Sequence, residues 1–277
     1  MANSLRIGLL QMRSGIAAQA NRAAASDMLR QAASQGARLV ASPEMTPRLD
    51  RDRKRMLADV ENEDLAAEIK AWGRLAREHG LWLLLGSMAV WAGEGRIHNR
   101  SLLFSPDGDV RAQYDKINLF DVELGGGETY RESEAVLPGN ALVTHPIAGQ
   151  AVLGLTICYD LRFPELFGAL ARAGAQIIAV PSAFTRLTGA AHWEVLLRAR
   201  AIETGAFIIA PAQGGFHEDG RATWGHSMVI GPWGDVLARF DHDEPGLLLA
   251  DLDLAQCAAA RARIPAWRGG GPFGPVS

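Results

Sequence analysis

The stretch Ala151-Val-Leu-Gly-Leu-Thr-Ile-Cys-Tyr-Asp-Leu-Arg-Phe-Pro-Glu165 decides the fold class. Its first seven residues, 151–157, are a short apolar and partly β-branched run, which predicts a buried strand. Pro164 and Glu165 suit the first turn of a helix, because proline loses no hydrogen bond there and glutamate faces the positive end of the helix dipole. Cys158 therefore lies at a strand-to-helix junction. Such a junction can expose a thiol and lower its pKa, although most free cysteines are simply buried apolar residues.

The composition is that of a globular chain and argues against several functional classes. The chain has 277 residues, of which 48% are hydrophobic and 21% charged, so it can bury a sizeable core. A net charge of −3 gives no electrostatic reason to bind nucleic acid or an anionic membrane. The apolar runs are far too short to span a bilayer. The N-terminus has no signal-peptide pattern, so we expect a cytoplasmic protein in which Cys158 and Cys257 stay reduced.

Alternating apolar runs and helical patterns predict one α/β domain over residues 1–264, followed by a Pro/Gly-rich tail over 265–277. The predicted helices are 19–35, 61–79, 164–173, 192–203 and 254–263. The predicted strands are 5–11, 38–41, 81–86, 99–104, 110–114, 151–157, 176–180, 207–210, 226–231, 235–240 and 246–252. Residues 119–138 are predicted to be a long loop, and loops of that length in compact domains are usually functional or mobile.

Three reactive side chains follow separate predicted strands, which places them at the sheet edge where α/β proteins bind ligands. They are Glu44, Lys116 and Cys158. Any one of them alone would be interpreted as structural. Together they supply a nucleophile, a carboxylate that can take its proton, and a cation that can stabilise an oxyanion. A pair of Cys158 with His192 remains an alternative at this point. The histidines have no metal-ligand spacing, so we expect no metal and no other cofactor.

Five ordered motifs resemble the carbon–nitrogen hydrolase (nitrilase) superfamily over nearly the whole chain, and within it the Nit branch, which includes deaminated-glutathione amidases and ω-amidases. The motifs begin at Ser42-Pro-Glu44, Tyr114-Asp-Lys116, Cys158-Tyr-Asp160, Ala183-Phe-Thr185 (followed by His192-Trp-Glu194) and Gly225-His-Ser227. The resemblance implies a four-layer αββα sandwich that assembles as a homodimer or higher homo-oligomer. The histidine that commonly follows the Lys-Ile pair in relatives is Asn118 here.

The resemblance also implies roles for individual residues. Cys158 would be the nucleophile, Glu44 the general base and acid, Lys116 the oxyanion stabiliser and Glu132 a supporting glutamate. The backbone N–H of Tyr159 would be a second oxyanion donor. From its position after a strand end, Thr185 or Arg186 is predicted to contact a substrate carboxylate.

The expected activity is cofactor-free hydrolysis of the terminal amide of a small 2-oxo acid or peptide-like metabolite, with ammonia released through a thioester intermediate. The family resemblance implies deaminated glutathione as the expected substrate. The alternatives are an ω-amidase acting on 2-oxoglutaramate-type substrates and an N-carbamoyl amino-acid hydrolase. From a different class, a catalytically idle binding or scaffold protein would have had no reason to keep all three reactive groups. The expected partner is therefore the amide substrate, with no nucleic acid and no membrane.

Overall fold

The structure is a computed structural model that describes residues 4–124, 129–147, 149 and 151–270. The helices in these ranges are α1 (Ala18–Ser34), α2 (Arg53–Asn62), α3 (Leu65–His79), α4 (Pro164–Arg172), α5 (Arg186–Thr204) and α6 (Ala255–Arg263). The strands are β1 (Ser4–Gln11), β2 (Leu39–Ala41), β3 (Trp82–Gly93), β4 (Arg96–Phe104), β5 (Val110–Asp115), β6 (Asp121–Glu123), β7 (Thr129–Arg131), β8 (Thr144–Ile147), β9 (Ala151–Leu155), β10 (Ile177–Ala179), β11 (Phe207–Ala210), β12 (Gly214–Phe216), β13 (Ala222–Trp224), β14 (Met228–Ile230), β15 (Val236–Arg239) and β16 (Gly246–Asp253).

Two six-stranded sheets form the centre of the molecule. Their strand orders are β16-β1-β2-β3-β4-β5 and β15-β14-β11-β10-β9-β8. Within each sheet three adjacent strands run parallel: β1, β2 and β3 in the first sheet and β9, β10 and β11 in the second. Central parallel strands are buried on both faces, which explains why their sequences are continuously apolar.

The side-chain alternation along the strands separates two cores. In β1, Leu9 belongs to the core that joins the two sheets, whereas the next residue, Leu10, packs with the helices on the outer side. Helices α1 and α3 contribute Leu29 and Trp72 to that outer core. On the far side, Leu170 of α4 packs on the second sheet. The layers therefore run helix, sheet, sheet, helix, which confirms the predicted αββα sandwich.

Several predicted elements have different bounds in the structure. The single helix predicted over 61–79 is wrong, because α2 ends at Asn62 and Asp64 caps the start of α3 by accepting from the N–H of Ala67. The helix predicted from 192 begins at Arg186. Strands 81–86 and 99–104 are parts of one longer hairpin, β3–β4, which turns through Glu94 and Gly95 in left-handed conformations.

The segment 119–138 is not entirely loop. It contains the antiparallel pair β6–β7 and a turn of 3-10 helix at Glu132–Glu134, while residues 125–128 lie outside the described residues. The first residues of the predicted tail are ordered. Pro265–Arg268 forms a 3-10 turn, and the guanidinium carbon of Arg261 lies 5.0 Å from the centre of the Trp267 ring. Strands β8, β12 and β13 were missed because their short sequences contain no continuous apolar run.

Gly86 in β3 allows a close approach that shapes the site. A Cβ at this position would lie 2.0 Å from the carbonyl oxygen of Ser42 and 2.4 Å from that of Pro43, both backbone atoms next to Glu44. We therefore expect Gly86→Ala to displace the Glu44 loop and reduce kcat at least about tenfold, since small misplacements of reacting groups are costly. The matched control is Gly168→Ala, which meets only the flexible end of Arg172 within α4. Steady-state kinetics that show equal activity for the two variants would contradict the prediction.

Candidate active site

Cys158 lies where the chain leaves β9 for a 3-10 turn that spans Cys158–Arg162. Its φ is +49°, a left-handed conformation that is uncommon for a residue other than glycine. The backbone N–H of Cys158 donates to the carbonyl of Pro181 at 2.9 Å, which anchors this strained turn to the neighbouring strand connection. Strain of this kind persists only where the surrounding structure enforces it, and it is concentrated at functional sites.

Glu44 follows β2 and is almost completely buried, with 5% of its surface exposed. One carboxylate oxygen, Oε1, accepts from Lys116 Nζ at 2.9 Å, and the other, Oε2, accepts from the N–H of Ala183 at 3.0 Å. Cys158 lines the same cavity as Glu44, and the negative charge of that carboxylate acts on its thiol and raises the pKa of the thiol. Glu44 therefore binds Lys116 directly and lies beside Cys158.

Lys116 and Glu132 complete the cluster. Lys116 follows β5, is 2% exposed, and its Nζ lies 2.9 Å from an oxygen of each glutamate. The carboxylate of Glu132 also accepts from the N–H of Phe120 at 2.6 Å. The segment predicted to be a loop thus delivers Glu132 through a short 3-10 turn. The four residues given catalytic or supporting roles by the family resemblance, Glu44, Lys116, Glu132 and Cys158, therefore lie together at one end of a cavity.

Asn99 bridges the two glutamates and was missed in the sequence analysis. Its Nδ2 donates to Glu44 Oε1 at 3.0 Å and to Glu132 Oε1 at 3.2 Å. Two carboxylates on one side of the amide leave a single favourable orientation, with the NH₂ group toward them. The available signal was a polar residue at an inward position of β4, between buried Ile97 and Ser101.

Asp160 supports the turn that carries Cys158 and was also missed. It is fully buried and accepts from the hydroxyl of Tyr114 at 2.7 Å and from the N–H of Ile157 at 2.9 Å. Asn118, the residue at which this sequence departs from the family pattern, donates to Asp160 from both its backbone N–H and its side-chain amide. Asn118 therefore ties the Lys116 segment to the Cys158 turn.

The three reactive groups hold each other in defined charge states. Burial alone would raise the pKa of Glu44, but the ammonium of Lys116 and the donated hydrogen bonds outweigh it, so the pKa is below its ordinary 4.5. Burial opposes the charge of Lys116, but the two glutamates raise its pKa well above 10.5. Burial and the negative charge of Glu44 raise the pKa of the Cys158 thiol well above 9.0. The expectation that the strand-to-helix junction lowers the pKa of the Cys158 thiol is therefore wrong.

These pKa shifts predict that kcat/KM changes little with pH across a wide window. The active form requires ionised Glu44 and protonated Cys158, and both hold from about pH 5 to about pH 9. We expect kcat/KM on an amide to fall below this window as Glu44 takes up a proton, and above it as the thiol loses one. The measurement is kcat/KM across pH 4–10 in buffers of constant ionic strength. A limb with a midpoint near pH 7 would contradict the assignment of these charge states.

A cavity of about 700 Å³ opens from this cluster toward the surface. Cys158, Glu44 and Lys116 lie at its buried end, and the ring of Tyr159 contributes to its wall and packs on Phe120 at 5.1 Å. Binding cavities for small organic ligands typically span about 300–1,000 Å³. The cavity is thus large enough for a substrate of tripeptide size.

The two predicted substrate contacts occupy different surroundings. Thr185 lines the cavity and caps α5, accepting from the N–H of Thr188 at 3.3 Å. The guanidinium of Arg186 pairs with Asp243 and lies 4.5 Å from the centre of the Phe216 ring. Its proposed contact with a substrate carboxylate remains a prediction, and the charge of Arg186 already has a partner.

The surroundings of His192 do not support a role beside Cys158. Its Nδ1 lies 3.3 Å from the guanidinium of Arg162, which also lies 5.5 Å from the centre of the Phe184 ring. The carboxylate in contact with Cys158 is that of Glu44. The geometry therefore favours a Cys–Glu–Lys arrangement over a Cys–His pair.

Comparison with known proteins agrees with this geometry. The carbon–nitrogen hydrolase family profile matches residues 6–262. The chain belongs to the carbon–nitrogen hydrolase family. It is 43% identical over 249 residues to deaminated glutathione amidase from Bos taurus, covering 88% of this chain and 75% of that protein. The predicted superfamily resemblance is therefore confirmed, and the protein is a hydrolase of carbon–nitrogen bonds.

Solved structures of this family have the same fold. The NitFhit protein of C. elegans superposes with a TM-score of 0.87 at 34% identity, covering 96% of this chain and 64% of that chain. The amidase from Nesterenkonia sp. AN1 superposes with a TM-score of 0.81 at 30% identity over 96% of this chain and 97% of its own. In that structure, a glutamate-to-glutamine variant, the acetamide moiety of fluoroacetamide is covalently attached to the active-site cysteine.

Two further observations concern metals and membranes. Within the described ranges, no group of three or more His, Cys, Asp or Glu side chains is arranged to hold a metal ion. No helix in the same part of the chain is long and apolar enough to cross a membrane. The absence of a cofactor requirement stays a prediction.

Proposed function

We propose that this carbon–nitrogen hydrolase is a cysteine-dependent amidase in which Cys158, Glu44 and Lys116 carry out the chemistry and Glu132 supports them. The observation that carries the proposal is the buried contact of Glu44 with both the Cys158 thiol and the Lys116 ammonium at the base of a 700 Å³ cavity. A buried thiol beside an ionised carboxylate is a nucleophile with a general base close to it.

The first half of the reaction forms a thioester. Glu44 takes the proton of the Cys158 thiol while Sγ attacks the amide carbonyl, and the resulting oxyanion is stabilised by Lys116 and the backbone N–H of Tyr159. Protonated Glu44 then gives its proton to the amide nitrogen as the C–N bond breaks. The amine leaves, and the acyl group remains on Sγ.

The second half returns the enzyme to its starting state. Glu44 removes a proton from a water molecule, the hydroxide attacks the thioester carbonyl, and the C–S bond breaks as the thiolate recovers the proton from Glu44. Lys116 keeps its positive charge throughout, because two carboxylates raise its pKa. Glu132 and Asn99 hold that ammonium and Glu44 in register, so they act as positioning residues.

The proposed substrate is deaminated glutathione, supported by the similarity to amidases of that name. This substrate corrects the expected leaving group. Glutathione is γ-glutamylcysteinylglycine, so its 2-oxo form contains no primary carboxamide. Hydrolysis of its γ-amide yields 2-oxoglutarate and cysteinylglycine. Ammonia is the product only for ω-amides such as 2-oxoglutaramate.

The test compares products from three substrates at matched concentrations. Purified protein is given deaminated glutathione, 2-oxoglutaramate or an N-carbamoyl amino acid, and 2-oxoglutarate, cysteinylglycine, ammonia and carbon dioxide are measured. We expect deaminated glutathione to give equal amounts of 2-oxoglutarate and cysteinylglycine with the highest kcat/KM. A higher kcat/KM for 2-oxoglutaramate would replace this proposal by the ω-amidase. Carbon dioxide release would indicate a carbamoyl hydrolase.

We also propose that the protein forms a homodimer through an apolar patch on α5 and the adjacent turn, defined by Val195, Ile202 and Trp233. Their side chains are 68%, 52% and 55% exposed in the single chain. Val195 and Ile202 are seven residues apart and so share one face of the helix. Exposed apolar patches of this kind commonly mark protein–protein contacts. We place this assembly in a reducing cytoplasm, supported by the two unpaired buried cysteines.

A charge in the patch is expected to separate the protomers. Ile202→Glu would bury a carboxylate without a partner in the interface, which costs about 2–5 kcal/mol of association free energy. Sedimentation velocity should therefore show a shift from dimer to monomer. Leu142→Glu, at another exposed apolar position, is the matched control and should leave the assembly unchanged. Equal sedimentation of Ile202→Glu and the unmodified protein would rule out this patch.

A further inference from the structure

The buried end of the cavity carries a net negative charge. With the Cys158 thiol protonated, Glu44 and Glu132 contribute two negative charges, and Lys116 contributes one positive charge. Like charges repel strongly in a site shielded from water. A substrate carboxylate is therefore disfavoured next to the thiol, and an anionic substrate must enter with its amide first and a carboxylate directed outward.

The outer lining of the same cavity has the opposite charge. It includes Arg51, Arg53, Arg131 and Arg221. Three of these guanidinium groups are already matched by carboxylates: Arg53 by Glu134, Arg131 by Glu123, and Arg221 by Asp219.

Arg51 is the exception. Within the described parts of the chain it forms no ion pair and no hydrogen bond. The carboxylate of its neighbour, Asp50, is taken by a two-point contact with Arg55, at 2.7 and 2.8 Å. Nη1 of Arg51 lies 3.9 Å from the place that a Cβ on Gly220 would occupy, so it sits beside the segment that carries Arg221. The two guanidinium groups thus line adjacent parts of the cavity mouth.

We propose that Arg51, with Arg221 beside it, forms a carboxylate-binding subsite for the terminal carboxylate of the leaving group. Guanidinium groups bind carboxylates through paired hydrogen bonds. The acyl half of the substrate becomes bound to buried Cys158, whereas the leaving half departs through the mouth, where exposed Arg51 lies. This inference rests on the proposed function, and for deaminated glutathione the carboxylate is that of its glycine.

The test measures KM for deaminated glutathione and for its C-terminal glycinamide form, which lacks that charge. Arg51→Gln is expected to raise KM for the acid about tenfold with little change in kcat, the loss of one charge-assisted contact. The same variant should change KM for the glycinamide less than about twofold. The matched control is Arg53→Gln. It removes a guanidinium group from the same cavity, but the charge of that group is already paired with Glu134. It should alter neither KM by more than about twofold.

Binding is measured separately from turnover by calorimetry on the Cys158→Ala protein. Adding Arg51→Gln should raise the Kd for deaminated glutathione about tenfold, and adding Arg53→Gln should leave this Kd unchanged. The subsite would be overturned if Arg51→Gln and Arg53→Gln changed the Kd for deaminated glutathione equally. It would also be overturned if Arg51→Gln raised KM equally for the acid and the glycinamide. Binding that depends on Arg51, combined with no hydrolysis by the unmodified enzyme, would overturn the proposed function and leave the subsite standing.

Discussion

Replacing Cys158 by alanine is expected to abolish amide hydrolysis, with a fall in kcat of at least about 10⁴-fold, as for other enzymes that lose their nucleophile. Without Sγ there is no atom to carry the acyl group, and no thioester forms. Product release measured by liquid chromatography gives the rate, and intact-protein mass spectrometry after rapid quenching should show an acyl adduct only on the unmodified protein.

The matched control is Cys257→Ala. Cys257 is buried in α6, its thiol donates to the carbonyl of Gln176 at 3.3 Å, and burial raises its pKa to about 11. It lies among apolar side chains of the core and outside the cluster around Cys158. We expect the Cys257→Ala protein to retain its kcat. An active Cys158→Ala protein, or acyl adducts that persist in it, would refute the role of Cys158.

Replacing Glu44 by glutamine is expected to lower kcat about 10²–10⁴-fold, because the site loses the group that accepts and returns the proton. The shape of the side chain is preserved. Its amide oxygen can still accept from Lys116 and Asn99, but its NH₂ group then faces the N–H of Ala183, which loses its acceptor. One buried donor without a partner costs about 1–3 kcal/mol of unfolding free energy, so a lower thermal midpoint should accompany the loss of rate.

Glu134→Gln provides the comparison for Glu44→Gln. Glu134 lines the same cavity, but it is exposed and paired with Arg53. This variant should keep kcat within about twofold and shift the thermal midpoint little, as exposed ion pairs contribute about 0–1 kcal/mol. Single-turnover kinetics separate thioester formation from its hydrolysis in both variants. A Glu44→Gln enzyme that forms the thioester at the unmodified rate would show that another group accepts the thiol proton.

The sequence pattern predicted the sheet strands well wherever burial on both faces made them continuously apolar. The runs at 5–11 and 207–210 correspond to β1 and β11 almost residue for residue. Short strands such as β12 and β13 carry no comparable signal, because they lie outside the two six-stranded sheets and their three-residue sequences contain no continuous apolar run. The break between α2 and α3 depends on the cap at Asp64, a local signal within a stretch that otherwise favours helix throughout.

The supporting groups of the site were harder to predict than the reactive ones. Asn99 has ordinary sequence surroundings, and Asp160 stands in the Cys158 motif without a predicted role of its own. The importance of both follows from what they contact. Asn99 reaches Glu44 across 55 residues of chain and Glu132 across 33. No local pattern encodes such distances, because a hydrogen bond to a distant segment leaves no periodicity in the sequence.

The sequence by itself determined the α/β class and placed the proposed reactive residues Glu44, Lys116 and Cys158 at strand ends, because strand burial and strand-end placement are local properties that composition and spacing reveal. Only the tertiary structure decided their charge states. Lys116 and Glu44 are 72 residues apart in the chain and 2.9 Å apart in space. A pKa depends on the charges and the solvent around a group after folding, so the protonated thiol of Cys158 and the ionised carboxylate of Glu44 are properties of the packed site.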